Sequence, residues 1–199
     1  MNRFLIRSCD VLLSITGLMV LSPFFIVVAS WILFDDFGPV IFMQSRVGKD
    51  GADFKLMKFR TMRVNAERSG QLTVGVRDPR ITKAGYWLRK YKLDELPQLL
   101  NVLLGSMSLV GPRPEVRRYV DRYTHAQSRV LSVRPGITDE ASIAYRDENK
   151  ILSEVDDPER YYIEQILPDK IRLNMRYIEN QSLKSYFSII FRTLSGIIN

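Results

Sequence analysis

The amino-acid sequence predicts an α+β fold: one long apolar N-terminal segment, a small β-hairpin and a series of short helices. Three observations carry this. Val11 to Phe34 is a run of 24 residues without a charge. Two strand-like stretches, Pro39–Val47 and Phe54–Thr61, flank Lys49-Asp50-Gly51, a hairpin turn signal. The rest of the chain returns repeatedly to apolar residues three and four apart, punctuated by proline and glycine. A chain of 199 residues is one domain by size and long enough for a sizeable core.

The apolar run associates the chain with a membrane. As a straight helix it reaches ~36 Å, against a hydrocarbon core of ~30 Å. Arg3 and Arg7 imitate the basic end of a signal peptide, but the run is too long for one and no small-x-small cleavage site follows. Ser22-Pro23 lies near its middle. There proline removes a helical hydrogen bond, and the serine hydroxyl can cover the freed carbonyl. Each arm is about 11 residues, or ~17 Å, enough to reach mid-bilayer and return. A kinked crossing helix and a returning one both fit these residues.

Beyond the hairpin, which carries Arg46, Lys55, Lys58 and Arg60, Val64 to Asp78 is polar with scattered glycine and reads as a loop over the site. Ile81 to Tyr91 has helical spacing and leads Arg89 towards Asp94-Glu95. That acid pair precedes Pro97, tolerated in a helix's first turn, and the helical series Leu96, Leu99, Leu100 and Leu103, with Gly105 as C-cap. The pair therefore sits at a helix N-terminus, which favours ionised carboxylates. Arg89, Lys90 and Lys92 precede it, and Arg113 follows in a rigid Gly-Pro-Arg-Pro turn. Carboxylates among cations suit a nucleophile or metal ligand facing a phosphate; ordinary helix capping is the plainer alternative. Pro114 reads as a helix start, and Val133–Thr138 as a breaker-rich turn. Asp157-Pro158 reads as cap and first turn. Leu183, Tyr186, Phe187, Ile190, Phe191 and Leu194 form a final stripe behind Ser182, suited to a core or a bilayer surface.

Composition narrows the function. The lone Cys9 excludes an internal disulfide framework, and the single His125 leaves little room for a histidine metal site or a Ser-His triad. The net charge is +7, and residues 35–118 alone carry 16 basic and 9 acidic side chains. Such an excess points to nucleic acid, an anionic membrane or phosphorylated substrates. No helix-turn-helix, RNA-recognition or zinc-finger signature accompanies it, so nucleic acid is not an expected partner. A membrane-anchored basic binding module would explain the anchor and the charge but gives Asp94-Glu95 no role.

Lys92-Leu-Asp-Glu-Leu-Pro-Gln-Leu-Leu-Asn-Val-Leu103, followed by Met107-Ser-Leu-Val-Gly-Pro-Arg-Pro114, resembles the signature of the bacterial sugar transferase family. Phe42-Met-Gln-Ser-Arg-Val-Gly48 and Lys58-Phe-Arg-Thr-Met62 match in the same order, and the resemblance covers most of the chain, weakening after Thr138. It implies a single-domain monotopic phosphoglycosyl transferase spanning residues 1–199. Residues 1–36 would be a re-entrant membrane helix-break-helix with its break at Ser22-Pro23. Residues 37–199 would be a catalytic part with partly interfacial helices, on the cytoplasmic face of the bacterial inner membrane.

The implied reaction moves a sugar 1-phosphate from a UDP-sugar to polyprenyl (undecaprenyl) phosphate in the phospholipid bilayer. Asp94 is implied as nucleophile, Asp94 and Glu95 as ligands of Mg²⁺, and Arg89, Arg113, Lys58 and Arg60 as phosphate-binding groups. Kinetics would be ping-pong; an enzyme using one ternary complex is the alternative. The chain departs from the family's common Gly-Trp-Ala-Gln-Val-Asn-Gly-Arg continuation, showing Asp139-Glu-Ala-Ser-Ile-Ala-Tyr-Arg146, so no sugar-pocket residue is carried over.

Overall fold

The computed structural model describes residues 2–64, 66 and 78–198; the loop expected at 64–78 lies almost wholly outside them. The architecture is mixed helix and strand. Helix α1 (Asn2–Asp35) precedes an antiparallel hairpin of β1 (Ile41–Val47) and β2 (Asp53–Phe59), paired from Ile41↔Phe59 to Val47↔Asp53. Asp50 and Gly51 take positive φ in the turn, which releases the chain to reverse. Helices α2 (Lys83–Lys90) and α3 (Gln98–Leu104) follow, then β3 (Ser108–Val110), α4 (Arg117–Val120) and α5 (His125–Ser128). Next come β4 (Gly136–Thr138), α6 (Glu140–Ala144), α7 (Glu148–Ser153), α8 (Pro158–Tyr161), α9 (Leu167–Glu179) and α10 (Leu183–Ile198).

Helix α1 runs through Ser22-Pro23 without a non-helical residue, so the expected helix-break-helix is not seen as an interruption. The local chemistry is nevertheless the one proline requires. Pro23 has no N–H to give Met19 four residues back, and the Ser22 hydroxyl donates to that carbonyl at 2.8 Å. One stripe of the helix faces the body along its length. Ile6, Asp10, Ser14, Val28 and Ile32 are buried, and a Cβ at Gly17 would crowd Leu99. Ile6 packs with Tyr177, Tyr186 and Ile189; Val28 and Ile32 pack with Phe59, Ala84 and Leu88. The opposite face exposes Leu12, Met19, Val20, Ile26, Val27 and Phe34. The helix is long and apolar enough to cross a membrane, and about a tenth of its apolar window is buried by the protein.

Polar contacts fix both ends. Arg7 donates to the carbonyls of Val102 (2.7 Å) and Leu103 (3.1 Å), closing the C-terminal turn of α3. Asp10 Oδ1 accepts from Ser108 Oγ, Leu109 N and Tyr186 Oη at 2.9–3.0 Å. At the far end Asp35 accepts from Ala84 N at 2.8 Å, and Asp36 pairs with Arg60 at 2.6 Å.

Two differences from the sequence reading concern backbone. The helix expected at Pro114 begins at Arg117. The breaker-rich segment before Thr138 contributes β4, which pairs in parallel with β3 (Ser108↔Gly136, Val110↔Thr138). Gly136 permits that pairing, because a Cβ there would collide with the backbone of Gly111. Thr82, Asp157 and Ser182 cap α2, α8 and α10, and Gly105 ends α3 with positive φ. The final stripe divides: Tyr186 and Ile189 are buried, while Phe191 and Leu194 stay exposed.

Candidate active site

The site is built where α2, the acid turn and the hairpin meet. Lys92 adopts the left-handed conformation (φ 57°), which ends α2 abruptly and turns Leu93–Glu95 into a single 3-10 turn ahead of α3. The acid pair thus lies one short turn before the helix. Asn101 fixes that helix against β2 by imitating a strand: its side chain donates to Lys55 O (2.8 Å) and accepts from Met57 N (2.9 Å). This sets Lys58, on the next turn of the pleat, against Glu95.

Gly85 brings α2 directly onto the backbone of Thr61, where any Cβ would overlap the Thr61 carbonyl. Arg89 lies one helical turn further on the same face. Its Nε donates to Thr61 Oγ1 at 2.9 Å, which aims the guanidinium towards the acid turn. Among the described residues its Nη groups have no protein partner. Arg113 is held by its own backbone, whose N–H donates to Asp139 Oδ2 at 2.7 Å. Asp139 also caps α6 and accepts from Asn174 at 3.1 Å.

The two acids have opposite surroundings. Glu95 is gripped by Lys58 Nζ (3.0 Å to Oε1) and by both Nη groups of Arg113 (2.5 Å to Oε1, 3.3 Å to Oε2). Burial alone would raise its pKa; Arg113 and Lys58 outweigh burial and hold the carboxyl well below the usual carboxylate range. Asp94 is 8% exposed and makes no hydrogen bond or ion pair within 4 Å among the described residues. Burial pushes its pKa up, and the neighbouring Glu95 charge adds to this, against the more distant pull of Lys58, Arg89 and Arg113. The expectation of a carboxylate eased by its surroundings therefore holds for Glu95 and not for Asp94.

Arg60 does not join this group. Strand β2 ends at Phe59, so the alternation that would align Arg60 with Lys58 stops there. Its guanidinium is held by the Asp36 carboxylate and carbonyl, and it ties the end of α1 to the hairpin. Residues of unanticipated importance stand on the other side of Arg113. Arg46 donates to Pro114 O at 3.2 Å, and Glu115, 9% exposed, accepts from Tyr162 Oη at 2.5 Å. Lys170 lies 3.9 Å from Glu115 and 2.9 Å from Glu148. This network holds both sides of the turn that presents Arg113.

For Mg²⁺, the donor set fits through Asp94. The ion uses one or two carboxylates together with substrate phosphates and water, and Asp94 has oxygens free of protein donors. Glu95 fits less well, because both its oxygens already accept from cations. No group of three or more His, Cys, Asp or Glu side chains converges among the described residues.

The model of one family, bacterial sugar transferase, matches residues 1–199. The chain belongs to the bacterial sugar transferase family. A UDP-N-acetylgalactosamine-undecaprenyl-phosphate N-acetylgalactosaminephosphotransferase of Aeromonas hydrophila is 36% identical, covering 98% of this chain and 44% of its own length. The exopolysaccharide production protein ExoY of Sinorhizobium fredii is 34% identical over 96% of this chain and 84% of its own. A UDP-glucose:undecaprenyl-phosphate glucose-1-phosphate transferase of Escherichia coli is 34% identical over 100% of this chain and 41% of its own. The chain therefore spans less than half the length of two of these family relatives.

Proposed function

We propose that this chain is a membrane phosphoglycosyl transferase carrying a sugar 1-phosphate from a UDP-sugar to undecaprenyl phosphate. One observation carries the reading: a buried carboxyl without a protein partner, Asp94, sits among three cations, two of which its neighbour Glu95 holds in place. Relatives named for sugar-phosphate transfer to undecaprenyl phosphate support it. A carboxylate approaching a diphosphate meets about 4 kcal/mol of repulsion per charge pair at ~4 Å and an effective dielectric of about 20. Arg89, with Nη groups that have no partner among the described residues, and Arg113, partly exposed, would take phosphate oxygens and offset it.

Asp94 attacks the phosphorus that bears the sugar, and the bond to UMP breaks with its electron pair leaving on UMP. The aspartyl phosphosugar so formed is attacked at phosphorus by an oxygen of the lipid phosphate, and the Asp94 carboxylate departs. The products are undecaprenyl diphosphosugar and UMP, with ping-pong kinetics. Asp94 would hold Mg²⁺ together with the donor phosphates, and the ion would supply positive charge at the diphosphate. Glu95 keeps Lys58 and Arg113 oriented.

We propose that both ends of the anchor stay on the side of the catalytic body, as in a re-entrant segment, with that body on the cytoplasmic face of the inner membrane. Arg7 and Asp10 near one end of α1, and Asp35 and Asp36 at the other, bind the same body. A crossing helix would leave one set of contacts on the far side of a ~30 Å hydrocarbon layer. A cysteine placed at the N-terminus of a Cys9-replaced protein is expected to resist impermeant reagent from the periplasm; labelling there would overturn this topology. For the reaction, membranes containing the protein and Mg²⁺ are expected to release UMP from one of a panel of UDP-sugars, and EDTA is expected to stop it. Release from none would overturn the function, and EDTA-resistant release the metal.

A further inference from the structure

A second concavity of about 80 Å³ lies away from the acid turn, beside the start of α1. Arg3, Arg7, Lys49 and Arg134 line it, together with Asp10. Asp10 is the one acid on that wall, and its Oδ1 is saturated by Ser108, Leu109 N and Tyr186. Arg7 spends its Nη groups on Val102 and Leu103 carbonyls, and Lys49 pairs with Asp50 at 3.4 Å on the surface. Arg134 is fixed through Nε to Gly105 O at 2.8 Å, which leaves its Nη pair without a protein partner among the described residues. Arg3 makes no hydrogen bond or ion pair there either. Beside this cluster α1 exposes Phe4, Leu5, Leu12 and Leu13.

We propose that this concavity binds the phosphate of an anionic phospholipid headgroup, with the acyl chains lying along the exposed apolar residues of α1. Guanidinium groups with free Nη pairs match the oxygens of a phosphodiester, and four cations lining one concavity against a single acid leave an excess of positive charge for an anion to neutralise. The apolar strip next to the cations selects a lipid-borne phosphate over a soluble one. The site is separate from Asp94, and its occupancy would hold the basic end of the anchor at the membrane surface whatever the enzyme transfers.

The test is thermal unfolding of the full chain in neutral detergent micelles doped with phosphatidylglycerol, with phosphatidylcholine, or with inorganic phosphate alone. Phosphatidylglycerol is expected to raise Tm by about 4 °C or more, as ligand linkage requires, and phosphatidylcholine to leave it unchanged. Arg3 has no hydrogen-bond or ion-pair partner among the described residues, so Arg3→Gln tests binding without disturbing the fold; it is expected to remove roughly half of the rise, and addition of Arg134→Gln most of the remainder. Equal shifts from both lipids, or a rise that survives the double substitution, would overturn the site. An equal rise from inorganic phosphate alone would overturn the lipid as its source.

Discussion

Two buried charge clusters flank Arg113, and they differ in one respect. Around Glu115 each charge is matched: Tyr162 donates to it, Arg46 and Lys170 lie 3.9 Å away, and Lys170 reaches Glu148 as well. In the acid turn Glu95 is matched in the same way, but Asp94 beside it is not. Burial pushes up the Tyr162 hydroxyl, with Glu115 adding to the effect, so that this proton stays in its hydrogen bond. A satisfied cluster holds a shape. The incomplete one keeps a carboxyl at higher free energy than its environment prefers, the arrangement expected of a reactive group.

The comparison breaks most visibly at Asp94. Asp94→Asn is expected to lower turnover by at least ~10³-fold, since it removes the attacking charge. It is also expected to raise stability. The folded-state pKa of Asp94 lies above its unfolded value, so its contribution is favourable at low pH and lost as pH rises through the folded pKa. The variant's Tm gain should therefore be present at neutral pH and vanish below about pH 4. An Asp94→Asn protein less stable than wild type at pH 7 would mean that Asp94 is a paired, structural acid.

Glu95→Gln should do the reverse. It leaves Lys58 and Arg113 without their anion, and is expected to cost ~3–5 kcal/mol of stability together with about 10²-fold in turnover. Glu95 has a depressed folded pKa, so its stabilisation is present above the unfolded carboxylate value and is lost as pH falls through the lower folded one. Arg89→Lys and Arg113→Lys keep the charge but lose the planar fork, and each should lower kcat/KM at least ~10-fold, about 1.4 kcal/mol. Near-normal kinetics for both would return them to the protein surface. Glu115→Gln is the smallest effect on chemistry: Tm should fall with a loss of about 1–3 kcal/mol, while kcat changes less than about threefold.

The acid turn was legible because its residues are close in sequence and its cations sit in short motifs around Lys58, Arg89 and Arg113. The Ser22-Pro23 chemistry was legible too, since the freed carbonyl of Met19 is fixed by helical geometry. Pairings across long separations were not. Nothing near Asp10 announces Tyr186, 176 residues away, and nothing near Glu115 announces Tyr162 or Lys170. Strands β3 and β4 have three residues each and hide among prolines and glycines, below the length at which alternation can be read. Arg60 shows the limit of carrying a role over from a short motif, because strand β2 ends at Phe59 and the guanidinium is held by Asp36. Asp139, where the chain leaves the family's common continuation, is built in as a cap for α6 and a support for Arg113.

In the mechanism proposed above, Asp94 is left unpaired so that it can accept the sugar phosphate. Intact-mass analysis of the protein incubated with its UDP-sugar and Mg²⁺, in the absence of any lipid phosphate, tests it directly. One equivalent of UMP is expected, with a mass increase of one sugar phosphate that is carried on the peptide containing Asp94 and absent from Asp94→Asn. Release of UMP only when undecaprenyl phosphate is present, with no adduct at any time, would contradict it and assign the transfer to a single ternary complex.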